Sequence, residues 1–170
     1  MMSHRAPVTL THRPPLVAGG DTGAPTIVVG IDGTETSWSA FWWACGEAHR
    51  LNGRVIAVYV TCATERSLST GAAIVGFDAG AYAAAVNRTN AERAARLKAE
   101  AERRAAELDV QINFVHVHGD AAERLKAIAR DARADVIAVG RSTKRRHQFA
   151  GSLGRRLTRD RSAPIVVIVP

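Results

Sequence analysis

From Thr26 onward the chain alternates two hydrophobic periods, and that alternation constrains the fold more than any other feature. Five short runs rich in β-branched residues, TIVVGID, RVIAVYVT, VQINFVHVHG, DVIAVG and PIVVIV, are separated by longer stretches of helical period. The runs are apolar almost without interruption, as strands buried on both faces must be, whereas a sheet with one wet face would alternate. The expected order is βαβαβαβαβ with right-handed crossovers. It predicts an α/β protein in which a doubly wound, five-stranded parallel sheet carries helices on both faces. In such open sheets ligands bind beyond the carboxyl ends of the strands, where the winding reverses. Asp32 to Ser37, Thr61 onward, Gly119 and Gly140 to Ser152 are therefore the segments that can hold a site.

The intervening segments read as helices. Trp38, Phe41, Trp42, Cys45 and Ala48 recur at spacings of three and four and form an inward stripe, with Glu47 and Arg50 facing away. This spacing leaves Trp43 to core packing or a protein contact. After an irregular glycine-containing stretch from Ser67 to Gly80, a long helix carries Val86, Leu97, Ala101 and Leu108 inward, with Glu92 and Arg96 four apart on its outer face. A third helix opens with Asp120 and Glu123 in capping-box register and buries Ala122, Leu125, Ile128 and Ala129. The fourth begins near Ser152 and runs toward Arg161.

Pro7, Pro14, Pro15 and Pro25 precede this pattern and the next proline is Pro164, so residues 1–25 are expected to be a flexible N-terminal tail before a single domain over residues 26–170. At 170 residues the chain can bury roughly two-thirds of its unfolded surface in one core. No run approaches the roughly 18 apolar residues of a membrane span. The N-terminus lacks the apolar centre of a secretory signal, and Cys45 and Cys62 form no CxxC pair, so the expected location is the cytoplasm with thiols reduced. The net charge of +7 lies wholly in residues 141–161, where eight basic side chains face only Asp160. A polyanionic or acidic protein partner for that segment is one expectation, and a solvated basic surface is the other.

Chemistry has few candidate positions. Asp32 ends the first strand one residue before Gly33, where it can accept a hydrogen bond from a ligand or simply hold a turn. Gly140 ends the fourth strand, and eleven residues later Gly151 and Ser152 open a helix. That arrangement suits either a phosphate cradle or an ordinary helix cap. His116 and His118 alternate on a strand, so they share a face and with Asp120 can approach a metal. No third ligand has a position defined by the sequence, and no metal site is expected. Cys45, on the buried stripe, reads as a small core residue. No Walker loop, GxGxxG or nucleophile elbow is present, nor a dedicated catalytic base, so no enzyme is expected.

The start VVGIDGTETSWSA and the closing stretch ADVIAVG…GSLGRRL…APIVVIVP resemble the universal stress protein family over about residues 26–170. The resemblance implies a cytoplasmic stress-response module that binds an adenine nucleotide, ATP with Mg2+ accompanying it, with at most slow hydrolysis. In the family's motif, G-x-x-G, nine residues, then G-S/T, Gly140 matches the first glycine and Gly151 with Ser152 the closing pair, followed by Leu153. Thr143 stands where the middle glycine would, and seven residues rather than nine separate it from Gly151. Asp32, just after Gly30, matches the acidic residue near the nucleoside, and Val60 and Val139 fall where the family lines the adenine. The resemblance further implies a homodimer through the last strand, Ile165 to Val169. The alternative is a family member without nucleotide that acts through its basic 141–161 surface.

Overall fold

The computed structural model describes residues 23–61, 79–141, 153–159 and 164–170. The elements follow in the expected order: β1 (Thr26–Gly30), α1 (Glu35–Arg50), β2 (Arg54–Thr61), α2 (Ala79–Ala106), β3 (Ile112–His118), α3 (Ala121–Asp131), β4 (Val136–Gly140), α4 (Leu153–Thr158) and β5 (Ile165–Val169). All strand pairs are parallel and the sheet order is β3-β2-β1-β4-β5. Winding proceeds outward from β1 to β3, then returns past β1 to β4 and β5. The reversal lies between β1 and β4. Of the expected N-terminal tail, residues 1–22 lie outside the described residues.

Strand alternation builds two cores from one sheet. Ile27 and Val29 of β1 turn to one face, where Phe41, Ala44 and Cys45 of α1 and Leu97 and Ala101 of α2 cover them. Val28 turns to the other, beneath Leu125 and Ile128 of α3 and Leu157 of α4. Both faces of β1 are thus dry, which is why its sequence is an unbroken β-branched run.

The buried stripe of α1 is rotated slightly from the expected one. Ser37, Ala40, Phe41, Ala44, Cys45 and Ala48 form it. Trp38 and Trp42, placed inward by spacing, are half-buried at its edge. The Arg104 guanidinium of α2 stacks over both, 4.4 Å from the Trp38 ring centre and 5.7 Å from that of Trp42. A second helix lying alongside α1 makes that edge amphipathic, a home for an aromatic face under a cation. Trp38 and Trp43 both pack against the core cluster. In α2 the buried positions are Ala94, Leu97, Ala101 and Ala105. Val86 is only half-buried, and Leu108 packs on the core from just beyond the helix end.

Candidate functional site

At the winding reversal the carboxyl end of the sheet carries the turn that follows β1. Gly30 is in register with Val58 on one side and Val139 on the other, and beyond that level β4 runs one residue further, to Gly140, and β2 three, to Thr61. Beyond β1, Gly33 has φ +84°, a conformation that favours glycine and lets the chain fold back on Asp32. Asp32 Oδ1 accepts hydrogen bonds from the Thr34 amide at 2.9 Å and the Thr34 hydroxyl at 2.6 Å. Thr34, not Asp32, is the N-cap of α1, its Oγ1 accepting from the Ser37 amide. Asp32 thus holds the turn through Oδ1, on an exposed side chain at the carboxyl end of the sheet. The turn is also held from α2: Arg93 Nη2 donates to the Asp32 carbonyl at 2.8 Å. Nothing in the sequence signals that contact, because 61 residues separate the partners.

Gly140 is required for a reason other than ligand approach. A Cβ there would overlap the Thr36 carbonyl group and stand 2.7 Å from the Ser37 amide nitrogen. The first turn of α1 is seated directly on the end of β4. The missing side chain is thus consumed by packing inside the protein.

The remaining candidates divide by face. Val139 is buried, and Val60 and Leu153 are half-buried against the same cluster beneath α3 and α4. Gly30 opens toward this face as well, since its absent Cβ would meet Leu125 and Val139 at 3.3 and 3.4 Å. Gly30, Val60, Val139 and Leu153 are therefore assembled from four elements into one apolar neighbourhood, with Asp32 and Gly140 at the same end of the sheet. Thr143, Gly151 and Ser152 lie outside the described residues.

The basic helix is partly engaged. Arg156 makes a two-pronged pair with Asp120, at 2.7 and 2.8 Å, and Asp120 also caps α3 by accepting from the Glu123 amide at 3.1 Å. That removes Asp120 from the metal ligands the sequence allowed, and commits Arg156 to the protein's own surface. The guanidinium first, then the capping amide, hold the Asp120 carboxyl below its ordinary range against the opposing effect of burial. A depressed folded pKa contributes stability above the unfolded value of 3.8 that is lost as pH falls through the lower folded one. Both side chains are about two-fifths exposed, which limits the pair to less than about 1 kcal/mol. Asp120→Ala should cost about 1 kcal/mol at neutral pH, mostly from the cap, with the deficit shrinking as the pH falls below 3.8. Urea unfolding of both proteins at the two pH values measures it.

On the opposite face, Tyr59, Thr61, His116 and His118 cluster at the ends of β2 and β3. Tyr59 stacks on His116 with ring centres 5.2 Å apart, and the two imidazoles are 5.0 Å apart. Burial first, then the neighbouring His118, hold the His116 pKa below its usual value. Cys45 is fully buried and its thiol is pushed up to about 12 by desolvation, so it is the core residue its position implied. Among the described residues no three His, Cys, Asp or Glu side chains are grouped to hold a metal.

The reversal between β1 and β4 and the two covered faces define a doubly wound, Rossmann-like α/β domain. Residues 24–169 match the model of the Universal stress protein family, and the chain belongs to that family. Solved structures of similar fold include a universal stress protein in complex with cAMP, 22% identical, covering 86% of this chain and 96% of its own with a TM-score of 0.63. The universal stress protein UspA from Lactobacillus plantarum is 19% identical over 86% of this chain and 98% of its own, TM-score 0.66. A universal stress protein from Archaeoglobus fulgidus in complex with dAMP is 14% identical over 86% and 98%, TM-score 0.54. No curated protein matches the chain. No helix among the described residues is long and apolar enough to cross a membrane.

Proposed function

We propose that this protein is a cytoplasmic stress-response module that binds an adenine nucleotide, ATP with its Mg2+, at the winding reversal and has no dedicated catalytic centre. The observation that carries this reading is the convergence of Gly30, Val60, Val139 and Leu153 into one apolar neighbourhood beside the exposed Asp32 turn. That set fits a nucleoside: an apolar wall for the base and a carboxylate to accept from a ribose hydroxyl or an amine. The relatives whose structures contain cAMP and dAMP support the same ligand class. The amides of Gly151 and Ser152 and the side chains of Arg141 and Lys144 would hold phosphates. Cationic groups there offset the Cβ of Thr143 and the shorter loop. The nucleotide supplies negative charge to a basic segment, so its arrival would change which partners that segment attracts. Slow hydrolysis of bound ATP needs no further residue.

Purification without added nucleotide, denaturation and chromatography of the released small molecules should yield stoichiometric adenine nucleotide or, failing that, a protein that binds ATP when it is supplied. An empty protein indifferent to ATP and AMP overturns the reading and leaves the basic surface as the functional element. Binding of a polyanion by that surface would weaken steeply with salt, unlike a seated adenine.

The homodimer belongs to the same proposal. β5 is an edge strand and carries the exposed Ile165 and Ile168, 68% and 47% accessible, a combination that favours pairing with a second copy. Light scattering at micromolar concentration should give twice the chain mass; a clean monomer contradicts it.

A further inference from the structure

We propose that His116 and His118 form a chelating site for a divalent transition-metal ion, Cu2+ foremost, on the α2-covered face of the sheet and separate from the nucleotide site. The two residues are alternate positions of β3, on the same face as Ile112 and Phe114, which pack against the core beneath α1 and α2. Their spacing places two imidazoles side by side on a rigid strand, and the β2–β3 register sets Tyr59 opposite His116 and Thr61 opposite His118.

The ring nitrogens converge. His116 Nε2 is 3.2 Å and His118 Nδ1 2.5 Å from a single atom, the Thr61 hydroxyl oxygen. The Thr61 hydroxyl has one hydrogen to give, to an imidazole or to the Val117 carbonyl at 3.4 Å, so at least one imidazole must turn its own N–H toward it. A metal ion removes that competition, because both nitrogens then point their lone pairs at one centre, with imidazole–metal distances of about 2.0–2.1 Å. The Thr61 oxygen holds the point of convergence, so an ion enters as that hydroxyl turns aside.

The site is also pre-organised and open. Stacking on Tyr59, at an interplanar angle of 22°, fixes the His116 ring. His118 is exposed at the strand end, which gives an ion its route in. Neutral imidazoles need no carboxylate to bind a borderline metal, so the loss of Asp120 to Arg156 and the nearby Arg93, 5.9 Å from the Tyr59 ring centre, do not close it. Among divalent first-row ions Cu2+ binds nitrogen donors most tightly, which makes it the probe that reads the site best.

The test is calorimetric titration of the full-length protein with Cu2+ in a weakly coordinating buffer near neutral pH, paired with frozen-solution EPR of the loaded protein. One saturable site with couplings from two imidazole nitrogens is expected. His118→Gln, a change at an exposed position, should weaken binding by at least the roughly 10–100-fold that even outer-sphere changes cost, and leave one nitrogen coupling. Thr61→Val should weaken it far less. His4, His12, His49 and His147 remain in the His116→Gln/His118→Gln double variant, so they set the background. Unchanged affinity and spectrum in that variant, or no saturable binding by the wild-type protein, overturns the proposal. Neither readout depends on nucleotide, so the site stands or falls independently of the nucleotide site.

Discussion

Gly140→Ala should destabilise the protein by about 2–3 kcal/mol or more, because the new methyl group has no vacant space to enter. It would strike the Thr36 carbonyl group and press on the Ser37 amide, both backbone atoms of the first turn of α1. Unlike a flexible side chain, that turn cannot swing aside: Thr34 caps it, Asp32 holds Thr34, and the Ser37 hydroxyl donates to the Thr34 carbonyl at 2.8 Å. For a chain of this size the fall in Tm is roughly 5–10 °C. Calorimetric melting of the two proteins measures it, and an unchanged Tm would show that α1 is not seated on β4 as described. The result bears on function too. A Gly140 variant that fails to bind nucleotide would do so through a displaced α1, so it says nothing about phosphate contact; Asp32 and Gly151 are the informative positions.

The second large effect is expected at Phe41. Its ring is fully buried, the largest such side chain among the described residues, and it packs in a T-shaped pair with Trp38, ring centres 5.6 Å apart. Phe41→Ala removes most of that contact and leaves a cavity between α1 and β1, at a cost of about 3–5 kcal/mol. Trp38→Ala, at a half-buried edge position, should cost clearly less despite the larger ring, because solvent and the Arg104 side chain can relax into the space. Denaturant unfolding orders the two. Equal losses would mean that Trp38, rather than Phe41, is the centre of the stripe.

How much of this was legible beforehand follows from where each contact lies in the chain. The strands were readable because a doubly covered parallel sheet demands continuous β-branched runs, and each of the five runs forms one. The ends of runs were less so: the first was read through Asp32 but leaves the sheet at Gly30, since Gly33 must turn the chain into α1. Capping of α3 by Asp120 was readable because both partners lie within one turn. Trp42 was placed inward because it straddles the margin of the stripe, whereas Trp43 packs on the core, one of the two outcomes its spacing left open. Only Arg104, more than sixty positions on, decides which ring is capped by a cation.

The candidate site shows the same division. The carboxyl ends of β1 and β4 were named from topology alone, and the structure sets Gly30 beside Val139 there, with Gly140 closing β4 and Asp32 two residues past the end of β1. The reason for Gly140 was hidden, because glycine at a strand end fits ligand approach and helix packing equally until Thr36 is seen against it. Arg93 was invisible, being one of many arginines on a long charged helix. Similarly, the shared face of His116 and His118 followed from alternation, but the hydroxyl on which they converge belongs to the neighbouring strand.

The most direct test of the central claim is calorimetric titration of ATP into the wild-type protein and its Asp32→Ala and Gly151→Val variants. The account predicts one micromolar site per chain, weakened at least about tenfold, or 1.4 kcal/mol, by either substitution in protein that melting shows to be folded at the titration temperature. An absence of binding heat with ATP, AMP and cAMP, or equal affinity in all three proteins, would contradict it.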